Sequence, residues 1–91
     1  MEITGIKIRK ITDSGRLRGI VSITLDDEFA VHDIKIVKGS SRLFVAMPSR
    51  LDENGEWRDI VHPMTSRTRE EMEKRILHGF EEECRRSGII L

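Results

Sequence analysis

Between Ile3 and Ile11, Ile6 and Ile8 alternate with Lys7 and Arg9, the period-two pattern of a half-buried strand. Asp13-Ser14-Gly15 supplies turn residues. Leu17, Val21, Ile23 and Leu25 then share one parity, with Gly19 between them, while Arg18, Ser22, Thr24 and Asp26 take the other. The two segments are predicted to pair as an antiparallel hairpin. Beyond the acidic turn at Asp26–Glu28, Phe29-Ala30-Val31 and Ile34-Lys35-Ile36-Val37 read as a third strand. Its apolar parity changes at His32-Asp33, which predicts a β-bulge there, and Gly39-Ser40-Ser41 closes it.

Leu43-Phe44-Val45-Ala46-Met47 is apolar on both parities and stops at Pro48. Such a strand is expected to be covered on both faces, by the helix or by another subunit, and to form the centre of the core. Asp52-Glu53-Asn54-Gly55 carries the Asn-Gly turn signal, so Trp57 to Val61 is expected to return as a fifth strand that ends at His62-Pro63. From Ser66 onward, Met72, Ile76, Leu77, Phe80 and Cys84 draw an apolar stripe at spacings of three and four along one long amphipathic helix. Thr65, Ser66 or Thr68 can cap its start, with Thr68-x-x-Glu71 fitting a capping box, and Arg85, Arg86 and Ser87-Gly88 suit its end. Gly79 inside it costs about 1 kcal/mol relative to alanine. The expected fold is α+β: one domain over residues 1–91, with a small antiparallel sheet of four to five strands in 1–63 followed by a C-terminal helix over 65–87. The apolar tail Ile89-Ile90-Leu91 either packs on a neighbour or frays.

A chain of this length buries only about 60–65% of the surface it would expose unfolded. With three Phe, one Trp and no Tyr, the core is expected to be thin and aliphatic, and burial against a partner subunit would offset the shortage. Sixteen basic residues balance sixteen acidic ones, so any affinity for a polyanion must come from uneven placement. Placement is uneven. Lys7, Arg9, Lys10, Arg16 and Arg18 make the first hairpin basic, whereas acids gather at Asp26–Glu28, Asp52–Glu56, Glu70–Glu73 and Glu81–Glu83. The single cysteine, Cys84, excludes an internal disulfide and a multi-cysteine zinc site, and the N-terminus lacks an apolar stretch of signal-peptide or membrane-span length. A cytoplasmic protein without a membrane partner is expected.

Chemistry is sparse. His32, His62 and His78 lie on different elements without zinc-ligand spacing, and His62 beside Pro63 reads as a strand-end residue bonded for structure. Cys84 falls on the apolar stripe and reads as core. The glycines stand alone at turns, so no phosphate loop or nucleophile elbow forms, and the acid pairs read as solvated faces. No catalytic residue, metal site, cofactor or small-molecule substrate is expected. The arginines are more informative. Arg42, Arg50 and Arg58 flank the apolar strand and the hairpin after it, while Arg67 and Arg69 occupy the first turn of the helix. Cations there oppose the macrodipole, which suits an external anion that free N–H groups at the same end would also bind. The other reading is that Glu70, Glu71 and Glu73 pair with them as surface ion pairs worth under about 1 kcal/mol.

Ser22-Ile23-Thr24-Leu25-Asp26, Phe29-x-Val31-His32-Asp33-Ile34 and Leu43-Phe44-Val45-Ala46-Met47-Pro48-Ser49 together resemble the SpoVG family (stage V sporulation protein G). Asn54-Gly55-Glu56-Trp57-Arg58-Asp59-Ile60-Val61-His62-Pro63 and Thr68-Arg69 extend the resemblance, which runs from Met1 to about Gly88. It implies a small antiparallel sheet with a C-terminal helix, homodimerisation, and binding of DNA and RNA in control of gene expression, sporulation and septation. It also associates sequence preference with Ser66-Arg67-Thr68-Arg69-Glu70-Glu71 and with nearby basic residues such as Arg50. Two departures stand out: Glu70-Glu71 replaces basic or neutral residues of many relatives, and Arg50 is followed by Leu51 and Asp52 where relatives usually carry a double-basic turn.

Two functions are expected to compete. In the first, a homodimer binds DNA and RNA through Arg50, Arg58, Ser66, Arg67, Thr68 and Arg69, with the salt dependence of phosphate contacts. In the second, an exposed sheet edge and the apolar tail recruit a protein of the septation or regulatory machinery by strand addition, and the basic residues only solubilise the rim.

Overall fold

In the computed structural model, which describes residues 1–89, the initial alternation becomes a hairpin of β1 (Ile3–Ile11) and β2 (Leu17–Leu25). β3 (Phe29–Lys38) pairs antiparallel with β2, and β4 (Leu43–Ala46) with β3, so one sheet has its four strands in chain order. β5 (Ser49–Leu51) and β6 (Trp57–Asp59) form a separate two-stranded ribbon, and α1 (Ser66–Ser87) packs across one face of the larger sheet. The fold is α+β, an antiparallel sheet followed by a C-terminal helix. Ile89 packs on the core, and the rest of the apolar tail, Ile90 and Leu91, lies outside the described residues.

Four departures from strict alternation interrupt the sheet, and three of them, at Thr4, Arg9 and His32-Asp33, keep apolar residues inward. β1 slips by one residue at Arg9, so that Ile8 opposite Val21 and Ile11 opposite Gly19 both face α1. The fourth, in β2 at Arg18, sets Leu17 opposite Val37 on the face away from α1, off the side that Val21, Ile23 and Leu25 share. The expected bulge at His32-Asp33 is present: Ile23 pairs with Val31 and Val21 with Ile34, leaving Ser22 opposite both inserted residues. Asp33 takes φ 61° there, and Asp26 and Asp27 take φ 51° and 57° in the β2–β3 turn, left-handed values that aspartate tolerates better than most residues. That turn is tied to β1, since Asp26 Oδ1 accepts from the Glu2 N–H and Thr4 Oγ1 from the Asp27 N–H.

Two expectations need correction. The segment Leu43–Met47 is not the centre of the core: β4 is an edge strand, with Leu43 buried and Phe44 to Met47 half-buried. The core instead lies between β2, β3 and α1, around Val21, Ile23, Ile34, Ile36, Ile76 and Phe80. Apolarity on both parities marked a strand with one face on the helix and the other in a half-exposed position, a pattern that burial on both faces would also produce. The fifth strand is likewise shorter than expected and pairs only with β5, because Pro48 interrupts β4 and the chain leaves the sheet.

Thr65 is the N-cap of α1: its Oγ1 accepts from the Thr68 N–H at 3.1 Å. The Thr68-Glu71 capping box is therefore not used, as Thr68 sits at N3 and receives the Thr65 hydroxyl proton on its own Oγ1. Gly88 closes the other end at φ 76°, donating its N–H to Arg85 O. Between the caps the helix lies close to the sheet at two glycines. A Cβ on Gly19 would fall 2.3 Å from Phe80 Cε1 and 3.0 Å from Lys10 O, and a Cβ on Gly79 would fall 3.2 Å from Ile6 Cδ1. Both positions thus exchange a local conformational cost for contact distance across the core. Gly19→Ala is expected to destabilise the fold by about 1–3 kcal/mol, as overpacking does, whereas Gly79→Ala, which meets only the end of a flexible side chain, costs less. Urea unfolding of the two variants beside the parent chain checks the order.

Candidate nucleic-acid interface

The six expected contact residues fall on two elements. Arg50 and Arg58 stand opposite each other in the β5–β6 ribbon. Ser66, Arg67, Thr68 and Arg69 open α1, with residues 60–65 connecting the ribbon to the helix. Among the described residues no ion pair joins the two groups.

The ribbon is organised by Asp52. Its Oδ1 accepts from the Asn54 and Glu56 N–H groups, both at 2.9 Å, and its Oδ2 holds Arg58 Nε at 3.0 Å. Gly55, at φ 79°, completes the Asn-Gly turn. The Glu56 N–H, then the Arg58 guanidinium, and to a smaller degree the Asn54 N–H hold the Asp52 carboxyl below its ordinary value of 3.8, against a small opposing effect of desolvation. Arg58 also reaches Glu56 at 3.2 Å, so its charge is already engaged. Arg50 has no ion pair among the described residues and is exposed.

At the helix start no acidic residue occupies the first turn. Arg67 Nε contacts Glu71 Oε1 at 3.2 Å, but both side chains are more than half exposed, so the pair is worth at most about 0.5 kcal/mol. Arg69 has no ion pair among the described residues. The Thr68 N–H is taken by the cap and the Arg69 N–H by Thr65 O, while those of Ser66 and Arg67 are the first-turn donors an anion would meet.

The SpoVG family profile matches residues 1–82, a span that holds the whole sheet, the ribbon and the helix start. The chain belongs to the SpoVG family. It is 51% identical over 81 residues to the "putative septation protein SpoVG" of Lachnospira eligens, covering 89% of this chain and 92% of that one. The proteins of the same name from Desulforudis audaxviator and Agathobacter rectalis are similar at 53% over 81 residues and 52% over 83. Coverage is 89% of this chain and 92% of the former protein, and 91% of this chain and 95% of the latter.

Other features of this SpoVG-family chain escape sequence reasoning because they join distant segments. Glu73 Oε2 accepts from the Val45 N–H at 3.1 Å and Oε1 from Arg42 Nη1 at 3.1 Å, so the helix covers part of the outer edge of β4. Glu73 is thus spent on Arg42 and not on the helix-start arginines. An apolar groove of about 590 Å³ opens at the end of the sheet, between Leu25, Phe29, Met47, Val61, Pro63 and Met72. His62, on its wall, donates from Nδ1 to Pro63 O at 2.9 Å, but it stands in the connection to α1, past the end of β6 at Asp59, and not at the strand end expected for it. Cys84 is buried in the core, and burial, reinforced by Glu81 and Glu83, pushes its thiol above the ordinary 9.0.

Because the Asp52 carboxyl is depressed in the folded chain, its contribution to the ribbon is present above the ordinary value of 3.8 and disappears as pH falls through the depressed one. Acidification below 3.8 is therefore expected to loosen the ribbon, as read by the emission of Trp57 on β6. Asp52→Asn should remove that acid transition, and an identical transition in both proteins would assign it elsewhere.

Proposed function

We propose that this chain is a regulatory nucleic-acid-binding protein that contacts DNA and RNA phosphates through Arg50, Arg67 and Arg69, with Ser66 and Thr68 beside them. Arg58 contributes once released from Asp52 and Glu56. The observation that carries the reading is the helix start, where two cations and free N–H donors stand without an acid in the first turn. The septation named for its relatives is the process in which such a regulator would act. Binding of labelled duplex DNA and RNA, followed by fluorescence anisotropy across a salt series, tests it. Log affinity should fall by about 0.9 per neutralised duplex phosphate for each log unit of salt, and Arg67→Ala/Arg69→Ala should lower that slope by about 1.8. No binding at low salt, or an unchanged slope in a folded variant, would refute it.

Two features count against recruitment of a protein by strand addition instead. The β4 edge is covered at Val45 by Glu73, and the β1 edge is interrupted by irregularities at Thr4 and Arg9 and lined by Lys7 and Lys10. Both are ways in which sheets avoid edge pairing.

The active unit in this reading is a homodimer in the cytoplasm. The chain exposes 6509 Å², against about 5,400 Å² for a compact monomer of its mass. The difference, on the order of 1,000 Å², is comparable with the roughly 800 Å² that each partner gives to a standard interface. Leu51, Trp57, Ile60 and Met64 are each more than half exposed, a set suited to burial in a second copy. Sedimentation at micromolar concentration should give a dimer, with Trp57 emission shifting to the red on dilution through dissociation. A folded monomer with concentration-independent emission would overturn the assembly.

A further inference from the structure

The face of the four-stranded sheet that α1 leaves uncovered carries chemistry of its own. Strand register sets Lys7 beside Ser22 and lines up Lys10, Ile20, Lys35 and Ala46 in one row across the sheet. Lys10 and Lys35 thus stand two strand spacings apart, about 10 Å, on either side of Ile20. Arg9 belongs to the same face: its Nε donates to Ser22 Oγ at 3.2 Å, and that hydroxyl is also bonded to His32 Nδ1 at 2.8 Å. Among the described residues none of Lys7, Arg9, Lys10 and Lys35 has an ion pair. The acids nearest this face are Asp33, exposed in the β3 bulge opposite Ser22, and Asp26–Glu28 in the turn at one end.

At the opposite end the face runs into a cleft of about 790 Å³ lined by Arg16, Lys38, Ser40, Ser41, Arg42 and the ring of Phe44. Phe44 pairs with Val37, one step from the inward Leu43, which sets it on the open side. Gly39 gives the ring its place, since a Cβ there would lie 3.3 Å from Cδ1 and Cε1. Arg42 is engaged by Glu73, while Arg16 and Lys38 have no ion pair among the described residues. A half-exposed aromatic ring framed by cations and hydroxyls offers a base its stacking partner and the adjoining phosphates their counter-charges.

Packing this face on a second copy by a two-fold axis would set its cations against each other across a sheet spacing of about 10 Å, so a homodimer is a poor occupant. A duplex keeps its base faces stacked inside and would lay phosphates over Ile20, Val37 and Phe44. A single strand presents phosphates and base faces together, matching a row that alternates cation and apolar side chain. We propose that the open sheet face and its adjoining cleft form a binding surface for single-stranded nucleic acid, separate from the helix start.

The test measures anisotropy of labelled oligo(dT) and oligo(U) of about 12 nucleotides, within the usual span of small β domains, beside a labelled duplex. The proteins are the parent chain, Lys10→Gln/Lys35→Gln, Phe44→Leu and Arg67→Ala/Arg69→Ala, each checked for native circular dichroism. Removing two single-strand phosphate contacts should lower the salt slope by about 1.4 and the affinity roughly 25-fold at 0.1 M salt. Phe44→Leu should weaken single-strand binding about fivefold or more without changing the slope. Both sheet variants should keep duplex binding, and the helix-start variant should keep single-strand binding. Oligonucleotide binding by Lys10→Gln/Lys35→Gln with the parent's affinity and slope overturns the proposal, as does absence of binding by the parent at low salt. Loss of duplex binding alone in the helix-start variant, or absence of duplex binding in every protein while the oligonucleotide results hold, leaves this surface standing and bears only on the helix start.

Discussion

The ring of Phe80 rests on the bare backbone of Gly19, and much of what the molecule presents outward follows from that contact. The bare backbone of Gly19 lets α1 approach β2 more closely than an alanine there would allow, and Gly79 sets it on Ile6 of β1. At that distance Glu73 reaches the Val45 N–H on the far edge of the sheet, and Met72 closes one wall of the apolar groove. Thr68 and Arg75 meanwhile stand beside Met1 and Ile3 across a smaller cleft of about 280 Å³. Raising the helix by a methyl group would therefore disturb the core, reopen an edge and shift the helix start together.

Net neutrality conceals an uneven placement of charge. The exposed side of α1 mixes Glu70, Glu71, Glu81 and Glu82 with Arg67, Arg69, Lys74, Arg75, Arg85 and Arg86, whereas the uncovered sheet face carries Lys7, Arg9, Lys10 and Lys35. A cluster of one sign on one face orients an approaching polyanion even when the summed charge is zero. By this placement a polyanion would be drawn to the open sheet face and to the arginines at the helix ends. The Arg67–Glu71 contact does not contradict this, because an exposed pair of this kind is weak enough to yield to a phosphate.

Local patterns made most of the fold legible. The parity of Leu17–Leu25, the change of parity at His32-Asp33 and the apolar stripe from Met72 to Cys84 each depend on neighbours in the chain, and each element formed where its pattern lay. Features set by distant contacts were not legible. Leu43–Met47 looked central because apolarity on both parities does not tell a central strand from an edge strand leaning on a helix. Gly79 looked like a weak point in a helix until Ile6 was found beneath it. Of the site, the cations at the helix start could be read directly from macrodipole physics, but the engagement of Arg58 by Asp52 and of Glu73 by Arg42 required the fold.

In the proposed dimer the ribbon would link assembly to ligand contact. Leu51 faces Trp57 across it and Arg50 faces Arg58, and adjacent cross-strand pairs point to opposite sides of a two-stranded ribbon. Any partner that buries the Leu51–Trp57 side therefore leaves the Arg50–Arg58 side facing solvent. With both edges of the larger sheet obstructed and its open face too cationic to meet its own copy, the ribbon and the neighbouring groove are the apolar surfaces left for a second subunit. Association there would restrain a ribbon whose order otherwise depends on Asp52 and the Asn-Gly turn. Arg50 would then be held in a defined direction a short connection away from Arg67 and Arg69. In a monomer the same arginine would ride on a short, solvent-exposed hairpin, and ordering it would subtract from the affinity of each phosphate contact. Dimerisation and nucleic-acid affinity are on this account coupled through one ribbon, even though the residues serving them face opposite ways.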